Sequence, residues 1–289
     1  MEKTVRTAIG ALIQTAQKHN LPYEYPPNSV MNQILDIFPD RLPPSNRIPY
    51  SQYFAIGDGA LTATFAADNT LELWPIPHSP RHTGLYSQRP FVLRPYNQDL
   101  NTQERARFRG RKVLDLGGNK MVAYYLRRMD FAQTQARLEY RVISNGTVTS
   151  QPWAPTADDQ KPKRPTINPG EVYVTGDDYI AATAKSKLIF TAWDIKELIN
   201  VSNILLGTNK IMTISELAIC SGLDEAVTGD VNGSMIQYQE AMGVQITDFI
   251  STLLPPVYNE AGASINLDTG STEPLLVLKP QTQFTPGTP

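Results

Sequence analysis

The chain has 289 residues, with 26 Lys and Arg against 28 Asp and Glu, three His and one Cys, and 41% of it is hydrophobic. That length allows one large domain or two ordinary ones, while the single cysteine, Cys220, excludes an intrachain disulfide and any cysteine-based zinc or iron–sulfur site. No stretch approaches the roughly 18 apolar residues that cross a bilayer, and the first residues lack the apolar run of a secretory signal, so a soluble, unexported protein with no membrane partner is expected.

Residues 1–20 carry Val5, Ile9, Leu12, Ile13 and Ala16 at helical spacing, with Asn20 as the stop and Pro22 beyond. From Leu21 to Pro49 the chain is proline-rich and extended, broken by a short apolar helix over 29–38 that Ser29 caps. Residues 1–49 therefore form an arm, which packs on the main body or on a neighbouring subunit. The body opens with a β run at Tyr50–Ile56 and a turn at Gly57-Asp58-Gly59, followed by alternating strands at Leu61–Phe65 and Leu71–Trp74. Ala136–Ser144, Asn145-Gly146 and Thr147–Ser150 read as a hairpin, because Asn-Gly supplies the two positive-φ residues of a type I′ turn.

A polar loop over Pro155–Pro165 precedes strands at Val172–Val174, Ser186–Ala192 and Lys210–Ser221. Helices are expected over 194–206, with Asp194 as cap and Gly207 as stop, and over 234–250. The tail reads as a strand pair, Ser264–Leu267 and Leu275–Leu278, joined through Asp268–Pro274, and residues 280–289 as a frayed end. Strand follows strand with few helices between. The expected fold is mainly β, an antiparallel sandwich or barrel over residues 50–279 behind the N-terminal arm.

The near-neutral total charge hides a segregation. Arg81 to Arg141 hold 13 basic and 5 acidic residues, a balance of +8, whereas from Ile211 onward 9 acidic residues stand against Lys279 alone, a balance of −8. These segments either neutralise each other inside one subunit or meet across subunits, as head-to-tail assembly into a ring would arrange. The basic segment peaks at Glu104–Lys112. An extended run there puts Arg105, Arg107, Arg109 and Arg111 on one side, with Lys112 adjoining, at a spacing suited to carboxylates or phosphates. With Phe108 as the one stacking group in the cluster and a net acidic chain, an acidic protein surface is the expected partner and direct DNA contact is not.

Catalytic framing is sparse. His78 and His82 lie four apart, but Pro75, Pro77 and Pro80 prevent a helix that would align them, and no carboxylate adjoins them in sequence; solvated histidines on a stiff loop are expected. Asp177-Asp178 lacks the spacing of a calcium loop. Cys220 lies in an apolar run and reads as a buried hydrophobe. A protein without cofactor, metal or catalytic function is expected.

Four phrases in order, Tyr53–Gly59, Ile214–Gly222, Tyr238–Ile250 and Leu267–Leu275, resemble tailed-bacteriophage virion structural proteins and are similar to the β-rich attachment domains of collar and tail-fibre proteins. The resemblance implies a structural subunit of the virion at the neck or collar, forming a homo-oligomeric ring with head–tail connector, tail or fibre proteins as neighbours. A baseplate or fibre-attachment protein is the alternative it leaves open. A tail-associated glycan hydrolase or a DNA-contacting connector is the alternative of another class.

Overall fold

The computed structural model describes residues 3–207, 212–254 and 262–280. It is mainly β, with antiparallel strand pairing, as expected. In chain order the elements are β1 (Lys3–Arg6), α1 (Ala8–His19), α2 (Met31–Leu35), β2 (Tyr50–Gly57), β3 (Leu61–Phe65), β4 (Leu71–Pro75), β5 (Gln88–Arg89) and β6 (Val92–Pro95). There follow α3 (Thr102–Arg105), β7 (Phe108–Leu116), β8 (Asn119–Arg128), β9 (Ala136–Ser144), β10 (Thr147–Pro152), β11 (Glu171–Phe190), α4 (Ala192–Leu206), β12 (Ile214–Val231), β13 (Ser234–Leu254) and β14 (Ala263–Pro280).

The chain divides into two compact units. The larger takes residues up to Met129 together with Ile189–Ala263, and the smaller takes Asp130–Leu188 with the chain from Ser264 on. The expected single body over 50–279 is thus split, and the arm belongs to the larger unit.

In the larger unit, β1-β13-β12-β2-β8-β6 form one sheet, to which β5 adds beside β2 and β7 beside β8. Its central strands show almost no alternation: Gln52–Gly57, Ile214–Leu223 and Glu240–Thr247 are continuously buried. Strands covered on both faces read this way. Tyr53, Ala55, Ala218, Cys220, Ile246 and Phe249 share one core cluster, and the expected buried cysteine is confirmed.

The arm closes this sheet at one edge. Residues 3–6, expected as the first turn of a helix, instead pair with β13, Lys3 opposite Ser251 and Arg6 opposite Asp248. Thr7 then caps α1, its hydroxyl accepting from the Gly10 N–H at 2.8 Å, and Asn20 ends the helix in the left-handed region at φ 49°. A Cβ at Gly10 would lie 2.5 Å from the Thr247 carbonyl oxygen, so glycine is what lets α1 lie against β13. Helix α2 starts at Met31 behind Val30 rather than under a Ser29 cap. Ser29 is occupied elsewhere, donating to the Pro26 carbonyl and accepting from Gln245.

Two expectations are corrected. Residues 234–250 are not a helix but most of β13, which hairpins from β12 through Asn232 (φ 53°) and Gly233 (φ 79°). Its interior polar residues are buried and bonded: the Glu240 carboxylate accepts the Gly110 and Arg111 N–H groups at 2.6 and 2.9 Å, and Gln245 accepts the Tyr23 hydroxyl at 2.7 Å. Spaced among apolar residues, they imitate the solvent face of a helix. The tail likewise is one continuous strand, β14, and not a pair joined at 268–274. Helix α4 is present, with Thr191 as its cap and Asp194 three residues on, completing a capping box.

The smaller unit is a four-stranded sheet, β10-β9-β11-β14. The β9–β10 hairpin turns at Asn145 (φ 49°) and Gly146 (φ 74°) as expected. The frayed end expected over 280–289 lies, apart from Pro280, outside the described residues, as do Lys210 and Ile211 of the strand expected over 210–221.

Candidate functional site

The five expected interface residues do not form an exposed row. Arg105 and Arg107 precede β7, and Arg109, only 3% exposed, lies inside the unit. Its guanidinium grips Asp224 of β12 with two bonds of 2.7 and 2.9 Å, and the Tyr53 hydroxyl donates to the same carboxylate at 2.5 Å. Burial pushes the Asp224 carboxyl up, but Arg109 and Tyr53 outweigh it and hold the group below its usual range. Arg111 donates to Asp99 at 2.9 Å, and Asp99 also accepts from the Tyr124 hydroxyl at 2.7 Å. Arg105 donates to that hydroxyl at 3.1 Å and to the Leu100 carbonyl. Arg107 reaches Asp194 at 2.8 Å, where Arg127 joins at 2.9 Å. Lys112 donates to the Leu35 carbonyl at 2.6 Å.

The basic segment and the acidic C-terminal third therefore meet inside one chain, as Arg109 with Asp224 shows. Buried, bidentate pairs of this kind fix register, and separating one partner strands a charge. The interface assigned to Arg105, Arg109 and Arg111 is corrected on this ground: their guanidinium groups are buried and engaged at home.

The histidine loop is also different from expectation. His78 is buried, stacked on Phe249 at 3.8 Å between ring centroids and on Tyr86 at 4.2 Å. Its Nε2 lies 2.8 Å from Glu216 Oε2, a carboxylate that sequence distance concealed. Glu216 also accepts the N–H groups of Gly59, Tyr86 and Ser87 at 3.1, 3.0 and 2.8 Å. Burial raises the Glu216 carboxyl, but His78 and these three donors outweigh it and keep the group ionised. Glu216 is the anchor of both ends of the excursion from Gly59 to Ser87. No group of three or more potential ligands suited to a metal occurs among the described residues.

The smaller unit leaves several apolar side chains uncovered. In the smaller unit, the registers put Glu139, Arg141, Ile143, Val148, Ser150 and Tyr179 on one face, and Leu138, Tyr140, Val142, Ile180 and Ala182 on the other. Leu138, Ile143 and Val148 are exposed, as are Tyr173 and Leu276 farther along β11 and β14. The edge strand β10, Thr-Val-Thr-Ser-Gln-Pro, carries no charge and is exposed throughout. On the Glu139 face a polar knot holds the strands together: Glu139 accepts from Lys185 and Ser150 at 2.7 Å and from Arg141 at 2.8 Å, and Arg141 continues to Asp268 of β14 at 2.6 Å. Asp178 serves as acceptor for the Tyr140 hydroxyl. Alternation within β9 foretells these faces; that Leu138, Ile143 and Val148 stay exposed while Glu139 and Ala181 are buried is a tertiary fact with no local signal.

Neither the curated proteins nor the solved structures contain a match to this chain. The model of a family of unknown function, DUF7208, matches residues 1–284, and the chain belongs to that family.

Proposed function

We propose that this chain is a structural component of a tailed-bacteriophage particle, a neck or collar subunit at the head–tail junction that assembles as a ring of copies of itself. The observation that carries the assembly reading is the open sheet of the smaller unit, with apolar side chains in solvent on both faces and an uncharged edge strand, β10. Natural sheets blunt a free edge with charge, proline or a covering element. On β10 proline stands only at the last position, Pro152, and no residue is charged; an uncharged, exposed edge bordering exposed apolar side chains suits pairing with another chain.

The phage reading comes from the sequence resemblance. Three of its four phrases fall on β2, β12 and β13, which are adjacent strands of the main sheet, and the fourth falls on β14. Phrases far apart in sequence thus include one contiguous piece of structure, which supports their being read together.

Immunogold labelling of purified particles with antibody against this chain tests the proposal. Gold at the head–tail junction is expected. Gold at the distal tail would move the assignment to a baseplate or fibre-attachment protein, and absence of the chain from purified virions would overturn a structural role.

A further inference from the structure

The β3–β4 hairpin is the most exposed element of the larger unit, with no buried residue from Leu61 to Pro75. Its register sets Leu61 opposite Pro75, Ala63 opposite Leu73 and Phe65 opposite Leu71, so these six share one face. Phe65 is 73% exposed and Leu71 59%. The other face holds Thr62, Thr64, Glu72 and Trp74, whose indole N–H donates to Glu72 at 3.2 Å. One face of the hairpin is thus wholly apolar and exposed at Phe65, Leu71 and Leu73, while the other carries every polar side chain of the two strands beside Trp74.

Its base is rigid. The Ala60 N–H donates to Ser215 Oγ at 2.9 Å, the Ile76 N–H to the Ala60 carbonyl at 2.9 Å, and Ser251 Oγ to the Ile76 carbonyl at 2.7 Å. Below them Glu216 holds Gly59 at one end of the excursion and Tyr86 and Ser87 at the other. A two-stranded hairpin is marginal alone in water and needs a second layer. This one is held in place without it, so little ordering is lost when a partner arrives.

We propose that this face is a two-fold contact between two copies of the chain, hairpin on hairpin, closing into a four-stranded, two-layered unit. Charge selects the occupant. The face has no ionisable group, so two identical faces meet without like-charge repulsion, as a self-complementary contact requires. The hairpin's ionisable groups are Asp68 at the turn and Glu72 on the far face, both acidic, which disfavours an anionic lipid surface or a nucleic acid. Size sets the strength. Six side chains fall well short of the ~800 Å² per partner of a standard interface, so the contact gives a weak, concentration-dependent dimer. It stands independently of the phage assignment.

Sedimentation velocity of the full chain over a wide concentration range is expected to show a monomer–dimer equilibrium. The Phe65→Thr/Leu73→Thr variant keeps β-forming residues at exposed sites and is expected to raise the dissociation constant at least about tenfold. Ala63, at the centre of the face, replaced by Cys is expected to give a covalent dimer with a short bismaleimide linker, whereas Thr62→Cys on the far face is not; the native Cys220 is buried. A wild-type chain that stays monomeric throughout would overturn the proposal and mark the face as the seat of a different protein. So would dimers that survive the double substitution or fail to link through position 63. If the double variant misfolds, the contrast between positions 63 and 62 decides alone.

Discussion

At the scale of single residues, Glu216 shows how a buried charge is made tolerable. Its side chain and that of His78 are both fully removed from solvent. Four donors converge on the carboxylate, so His78 Nε2 must carry a proton, and the other ring nitrogen faces His82 Nδ1 at 3.1 Å. Removing the carboxylate leaves three backbone N–H groups and an imidazole without their acceptor in a site closed to water. Glu216→Ala is therefore expected to cost about 3–5 kcal/mol, well above the loss of one ordinary hydrogen bond. Urea unfolding reads this as a lower midpoint at unchanged slope. A cost below about 1 kcal/mol would mean that those N–H groups find water, and that the loop from Gly59 to Ser87 is not held as described.

At the scale of elements, turn chemistry carries much of the fold, and it works equally at two places. Asn145-Gly146 and Asn232-Gly233 are both Asn-Gly turns with positive φ at each residue. The first is legible because clear alternation flanks it. The second is not, because from Glu240 to Thr247 the strand it starts is continuously buried and seeded with bonded polar residues such as Glu240 and Gln245. The same limit applies to the site: that Arg109 and Glu216 would be consumed by Asp224 and His78 depends on partners more than a hundred residues away. Short-range signals, such as the stop at Asn20 and the presence of helix α4, are read correctly, although α4 is capped by Thr191 and not by the expected Asp194. A pair of glycine substitutions tests the turn argument. A Cβ at Gly233 meets nothing within 4 Å, so Gly233→Ala carries only the conformational penalty, about 1 kcal/mol. Gly243 also has positive φ, 60°, but there a Cβ would fall 2.7 Å from both Tyr25 Cε1 and Pro43 Cδ. Gly243→Ala is expected to cost clearly more, and thermal unfolding of the two variants side by side measures the difference; equal losses would show that the arm at Tyr25 and Pro43 yields without cost.

At the scale of the whole molecule, the two units are stabilised by different means. The larger buries long apolar strands around Tyr53, Ala218 and Phe249. The smaller has few buried apolar side chains, among them Ala181, Leu188 and Leu267, and relies on the knot around Glu139. Bonds from Lys185, Ser150 and Arg141 hold the Glu139 carboxyl down at about 2, against about 4.3 in an unfolded chain. A carboxyl whose folded value is depressed contributes its full stabilisation above the unfolded value and loses it as pH falls through the folded one. The window for this group is therefore from about pH 4.3 down to about 2. Protonation there releases Arg141 and Lys185 from their shared acceptor, and with them the tie through Arg141 to Asp268. Hydrogen exchange followed peptide by peptide from neutral pH into this window is expected to show β9, β11 and β14 losing protection before β2, β12 and β13. Glu139→Gln, which cannot ionise, is expected to weaken the smaller unit at neutral pH and to flatten its response to acid. A single transition shared by all six strands, unchanged in that variant, would show that the two units fold as one and that the knot does not set the acid limit.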